Sequence, residues 1–147
     1  MLKERVLQIT KEMVGIYSPT NTAEEQKVED YLLKLLQDMP YFKAHPENCG
    51  AFACADDCFA RSTIYGLVEG KSKKTVVFMG HHDVVSTEVY GALENVATDV
   101  EVLAAKLQGV ELNEEASADL ASGEWMWGRG TCDMKGKTFH IILPPNL

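Results

Sequence analysis

A chain of 147 residues with 46% apolar and 24% charged residues has the size and balance of one globular domain with a real core. Its net charge of −8 leaves no basic stripe to neutralise phosphates, which argues against nucleic acid and against an anionic membrane as partner. No apolar run approaches the roughly 18 residues that span a bilayer, and the charged opening Met1-Leu-Lys-Glu-Arg-Val6 does not read as a secretory signal, so a cytoplasmic location is the default expectation.

Leu2, Val6, Ile9, Met13 and Ile16 alternate in steps of four and three, which predicts an amphipathic helix over 2–16. Ser18-Pro19 ends it, because the residue before proline avoids the helical region. Thr22-Ala-Glu-Glu25 reads as a capping box that opens a second helix, with Val28, Tyr31, Leu32, Leu35, Leu36 and Met39 on its apolar face and Pro40 as its stop. Both helices read as scaffold, and a cap explains Thr20-Asn21-Thr22 with less than a substrate contact would. Tyr41 to Ala44 then predicts a strand, 45–59 an irregular loop, and Arg61 to Val68 a second strand ended by the turn Glu69-Gly70-Lys71-Ser72.

Thr75 to Met79 is too short for a helix and rich in β-branched and aromatic residues, so a buried strand paired beside 61–68 is expected. Leu93, Val96, Val100, Leu103 and Leu107 return to helical spacing, with Gly109 as a stop. Residues 110–123 are acidic and polar and read as an exposed connection. Trp125 to Trp127 is the last expected strand. The order of elements fits an α/β class, an incomplete α/β/α sandwich with a central mixed sheet.

Four cysteines require weighing. Cys49, Cys54 and Cys58 cluster behind His45, but the second Cys pair of a usual zinc site is missing. Free thiols in a reduced compartment fit better, and Cys132 reads as packing.

The chemistry concentrates where the strand at 75–79 stops at Gly80 and delivers His81-His82-Asp83. In open α/β sheets ligands gather at the carboxyl ends of strands. In extended backbone His81 and Asp83 share a face, and a metal-bound imidazole usually donates its other N–H to a carboxylate, here Asp83. A polar loop after a core strand is the plainer reading of this pair taken alone. A second apolar run supplies the counterweight: Trp125-Met-Trp-Gly-Arg-Gly-Thr-Cys-Asp-Met-Lys-Gly136 ends in Gly128-Arg129-Gly130 and brings Asp133.

Together, Gly80-His81-x-Asp83-Val-Val and Gly128-Arg129-Gly130-x-x-Asp133-Met-Lys-Gly resemble the two N-terminal signatures of the M20 family of co-catalytic metallopeptidases and amidohydrolases. Tyr41-Phe42 with His45-Pro46-Glu47-Asn48, Arg61-Ser62-x-x-Tyr65 and Ser122-Gly123-Glu124-Trp125 are similar to the arginine-utilisation subgroup. The resemblance runs over 1–136, the N-terminal part of a catalytic domain, and 137–147 is a divergent tail. It implies two divalent metal ions, zinc by preference, and hydrolysis of amide bonds in small peptides or acyl-amino acids. It implies His81 as a terminal ligand of one metal, Asp133 as the bridging carboxylate, Asp83 as the group orienting His81, and a cis peptide after Asp133. His82 falls at a variable position and reads as a bystander, while Lys135 and Arg129 read as loop anchors.

The family continues with a Glu-Glu pair, holding the general base and a ligand, then further ligands. Only 14 residues follow Asp133, none of them Asp or Glu, and Glu24-Glu25 and Glu114-Glu115 lie before it. The base and three further metal ligands are thus missing, and His140 matches none of them. Pro144-Pro145 in the tail opposes the apolar helix that the family places after the glycines. The expectation is therefore an N-terminal fragment, inactive alone, with an exposed sheet edge open to self-association. Two other readings stand beside it: a non-catalytic paralogue that binds metal or a partner, and a structural-zinc protein built on Cys and His.

Overall fold

A computed structural model of the chain describes residues 2–137. The expected tail, with His140 and Pro144-Pro145, lies outside the described residues apart from Lys137.

Two helices build the core. Helix α1 (Leu2–Gly15) and helix α2 (Glu25–Gln37) follow the apolar spacing. Ile9, Met13, Val28, Leu32 and Leu35 form one buried cluster between them, with Val6, Ile16, Tyr31 and Met39 packed at its edge. The α2 start differs from a full capping box. The Thr22 hydroxyl donates to Pro19 O instead, and Glu25 alone reaches back, accepting from the Asn21 N–H at 2.8 Å.

Pro40 does not stop the chain's helical course; it starts a new turn. Residues 41–44, expected as a strand, lie in helix α3 (Pro40–Ala44), because proline at the first helical position has φ preset and no N–H to lose. Phe42 from α3 joins Leu36 and Cys49 in a second cluster. The expected irregular loop contains strand β1 (Cys49–Ala53), which pairs antiparallel with strand β2 (Ser62–Gly66), Ala51 facing Ile64. Arg61 ties the intervening turn to α2, its guanidinium bonded to Asp57, Glu25 and Asn21.

The segment 75–79 forms no strand. Val76, Val77, Phe78 and Met79 are 70–84% exposed. Strand preference of β-branched residues is a preference for a covered, paired surface, and among the described residues no strand pairs with this run. Nor is 125–127 a strand, with Trp125 exposed. The described residues are mixed helix and sheet, compatible with the α/β class. Their sheet is the antiparallel β1–β2 pair, not the expected central mixed sheet.

The expected helix over 93–107 divides into 3-10 turns at Glu88–Val96, kinked at Gly91, and helix α4 (Val100–Leu107), capped by the Asp99 carboxylate. Val100 and Leu103 are its buried side chains. The polar connection is in fact helix α5 (Glu114–Ser122): Asn113 Oδ1 accepts the Ala116 N–H at 2.8 Å, and Gly123 closes it in the left-handed region. It buries no residue, so composition alone hid it. No helix among the described residues is long and apolar enough to cross a membrane.

Candidate metal-binding site

A short parallel pairing carries the first half of the site. Val84 N–H donates to Ser18 O and Thr20 N–H donates to Val84 O, both at 2.9 Å, and the Ser18 hydroxyl donates to His82 O at 2.8 Å. Extended backbone then sorts the side chains by parity. Val84, 3% exposed, faces the interior. His82 is turned inward as well, its Nε2 lying 3.9 Å from Glu29 Oε1 of α2. His81 and Asp83 take the other face.

His82 is therefore a packing residue more than a bystander. Burial holds its imidazole below the ordinary histidine range and pushes the Glu29 carboxyl above its own. Among the described residues His82 Nδ1 and Glu29 Oε1 are buried without a hydrogen-bond partner.

The loop from Gly128 carries the second half. Gly130 sits at φ 90° and a Cβ there would lie 2.8 Å from a Val84 methyl, so glycine lets this loop press against the first segment. Arg129 N–H donates to Ala97 O at 2.7 Å, and Lys135 N–H to Gly130 O at 2.9 Å. A Cβ on Gly136 would collide with Thr131 O. The Asp133–Met134 peptide is cis, the isomer that the family resemblance implies. Lys135, read only as a loop anchor, turns out to be fully buried, with its ammonium donating to Met13 O at 3.1 Å and to Ile16 O. It fastens the Asp133 loop to the C-terminal carbonyls of α1, where a cation also meets the negative end of the helix dipole.

These two supports bring together side chains 52 residues apart: His81 Nε2 lies 3.0 Å from Asp133 Oδ1. On its other side His81 Nδ1 lies 3.0 Å from Asp83 Oδ1. Thr20 completes the group, its hydroxyl donating to Asp83 Oδ2 at 2.6 Å. The site is open: the side chains of His81 and Asp133 are 48% and 86% exposed, that of Asp83 25%. Burial works against the charged forms of both His81 and Asp83, yet their partners prevail. Asp133 and Asp83 hold the imidazole above its ordinary value, while Thr20 and His81 hold the Asp83 carboxyl below the usual range.

An imidazole nitrogen and a carboxylate oxygen, here in direct contact with each other, are donor types that zinc takes. Among the described residues no group of three or more His, Cys, Asp or Glu side chains is placed to hold an ion. The cysteines have other surroundings: Cys49 is buried in the Leu36–Phe42 cluster and Cys54, Cys58 and Cys132 are exposed. His45 packs its ring on Tyr41 at 4.8 Å.

The geometry makes the metal-free chain's titration testable. A folded His81 raised above its ordinary value gains its pairing energy in full below that value and loses it as pH rises through the folded one. NMR titration should therefore find His81 above the ordinary histidine range, and Asp133→Asn should bring it back down. An unshifted His81 in the wild-type chain would mean that the two carboxylates do not face it in solution.

No family model matches the chain, and no solved structure matches it. Two curated relatives from Bacillus subtilis (strain 168) do. Protein RocB is 33% identical over 141 residues, 94% of this chain and 25% of RocB. The uncharacterized protein YqjN is 37% identical over 136 residues, 90% of this chain and 24% of YqjN. The chain spans about a quarter of the length of the curated relatives it matches, and over that quarter it is RocB-like in sequence.

Proposed function

We propose that this chain carries two metal-binding side chains of a co-catalytic amide hydrolase of the M20 type, His81 and Asp133, with Asp83 orienting His81. The convergence of His81 Nε2 and Asp133 Oδ1, with a carboxylate behind Nδ1, carries this reading. The two signatures in the right order support it, and the likeness to RocB is compatible with the arginine-utilisation subgroup. His81 and Asp133 would hold a divalent ion, which when bound would supply Lewis-acid activation of an amide carbonyl and of water. The substrates are small acyl-amino acids or peptides.

Two protein ligands leave a divalent ion mostly hydrated, because affinity grows with ligand count and fixed geometry. Within these 147 residues no Asp or Glu lies after Asp133, and general-base catalysis is worth roughly 10²–10⁴-fold. Calorimetry with Zn²⁺ should accordingly find binding no tighter than the micromolar range, abolished in His81→Ala and in Asp133→Ala. Hydrolysis of N-acyl amino acids should stay at background with added Zn²⁺ or Co²⁺. Zinc binding equal in the wild type and both variants would sink the site. Metal-dependent turnover lost in both variants would keep the site and overturn the inactivity, pointing to self-assembly as the source of the missing ligands.

A further inference from the structure

The longest exposed stretch among the described residues, 66–81, combines charge with apolar surface. Lys71, Lys73 and Lys74 stand at its turn. Val76, Val77, Phe78 and Met79 follow at once, 73, 72, 70 and 84% exposed. Four adjoining large apolar side chains in solvent, beside charged ones, are the mark of a contact surface.

A second region has the opposite charge. Between Lys106 and Arg129 lie five acids, Glu111, Glu114, Glu115, Asp119 and Glu124, and no Lys or Arg. Helix α5 carries the middle three and buries none of its residues. The helix dipole accounts for Glu114 and Glu115 in the first turn. It does not account for Asp119 in the last turn or for Glu124 beyond it, where a carboxylate meets the negative end and no basic residue offsets it. Val110 and Trp125, 44% and 61% exposed, flank the helix. Among the described residues no ion pair joins the three lysines to these acids.

We propose that these two regions are the halves of one interface between copies of this chain, the strip 71–79 of one copy lying along α5 and Trp125 of another. Charge selects the occupant. The net charge of −8 repels nucleic acid and anionic membranes. A second copy, in contrast, brings an acidic face with exposed apolar residues to a basic strip with exposed apolar residues. Opposite charges steer such an encounter and set its register, and apolar burial holds it. The two patches differ, so every copy carries one of each, and spoiling one patch leaves the other able to pair.

Sedimentation of the full chain over a range of concentrations reads the association. The wild type should associate, and about tenfold more weakly once added salt screens the exposed pairs. Val77→Ser with Phe78→Ser spoils the strip. Asp119→Lys with Glu124→Lys spoils the acidic face, and it suits the end of α5, where the dipole favours a cation. Each double variant alone should stay monomeric where the wild type associates. Their equimolar mixture should associate again, because each supplies the patch that the other lacks. Carbodiimide coupling of mixed ¹⁴N and ¹⁵N wild-type copies should join a lysine of 71–74 in one copy to an acid of 111–124 in the other. A wild type that stays monomeric overturns the inference, and so does association unmoved by salt. Association that survives either double variant, or a mixture that stays monomeric, overturns it too. If a variant does not fold, the wild-type cross-links still decide, since coupling between copies that misses 71–74 or 111–124 overturns the interface.

Discussion

Lys135→Ala is expected to lower the stability of the folded chain by about 4 kcal/mol, a midpoint drop of roughly 8–16 °C. Losing a fully buried long side chain resembles a buried Met→Ala change, about 2–5 kcal/mol with its cavity. The Ile16 carbonyl also loses its donor, at about 1–3 kcal/mol for a buried acceptor. The Met13 carbonyl suffers less, because it still accepts the Ile16 N–H at 3.2 Å. Relief from burying a charge subtracts from these losses, so Lys135→Met, which keeps the stem, should fall between Ala and wild type.

The buried charge has its own signature. Burial pushes the Lys135 ammonium from 10.5 down to about 8, against the pull of Asp83. Between those two values the unfolded chain binds more protons than the folded one, so wild-type stability should rise with pH across that window. Below it the cost of burying the charge is present in full. Lys135→Met has no such group and should be flat over the same range. Urea melts at the two ends of the window separate the cases. A Lys135→Ala variant melting with the wild type would mean that the ammonium does not fasten the Asp133 loop to α1.

Ile9→Ala should cost about 3 kcal/mol, or roughly 6–12 °C, within the range of buried aliphatic truncations. Ile9 is fully buried and packs in the cluster shared by Met13, Val28, Leu32 and Leu35. Helix α1 has few other resources, because a helix of 14 residues is marginal in water without packing. Loss there should therefore spread to the site through Ser18 and Thr20, which leave α1 to pair with Val84. Thermal melts check the stability, and the His81 resonance checks the spread. A drop confined to a fraction of a kilocalorie would mean that α1 and α2 do not share one core.

Ile9 was legible in the sequence and Lys135 was not. The spacing of Leu2, Val6, Ile9, Met13 and Ile16 records which side of a helix is covered, and α1 forms over Leu2–Gly15. A lysine between Met134 and Gly136 carries no such mark, since lysine is nearly always exposed unless something holds its charge. Its partners are backbone carbonyls of residues 13 and 16, more than a hundred positions away, and carbonyls have no letter in a sequence. Thr20 escaped for the same reason. A helix cap accounted for Thr20-Asn21-Thr22 locally, whereas the Thr20 hydroxyl meets Asp83 across 63 positions.

Turns went astray where one residue type serves two ends of a helix. Pro40 stops α2 from continuing and equally starts α3, and only the neighbouring Phe42 pocket decides between strand and helical turn. Asn113 and Gly123 mark the two ends of α5, while the acidic composition between them fits an exposed connection as well as a solvated helix. At 75–79 the β-branched run states a preference that a paired, covered position would realise; with no strand beside it among the described residues, Phe78 and Met79 stand in solvent.

The sequence by itself determined the α1–α2 scaffold, the mixed helical and sheet character, and the residue types of the site. Local periodicity and short-range side-chain chemistry suffice for those. Tertiary structure alone decided that His81 and Asp133 meet, that Thr20 reaches Asp83, and that Lys135 is buried beneath the Asp133 loop. Each of those contacts depends on long-range chain closure, whose distances no local pattern of apolar and polar residues encodes.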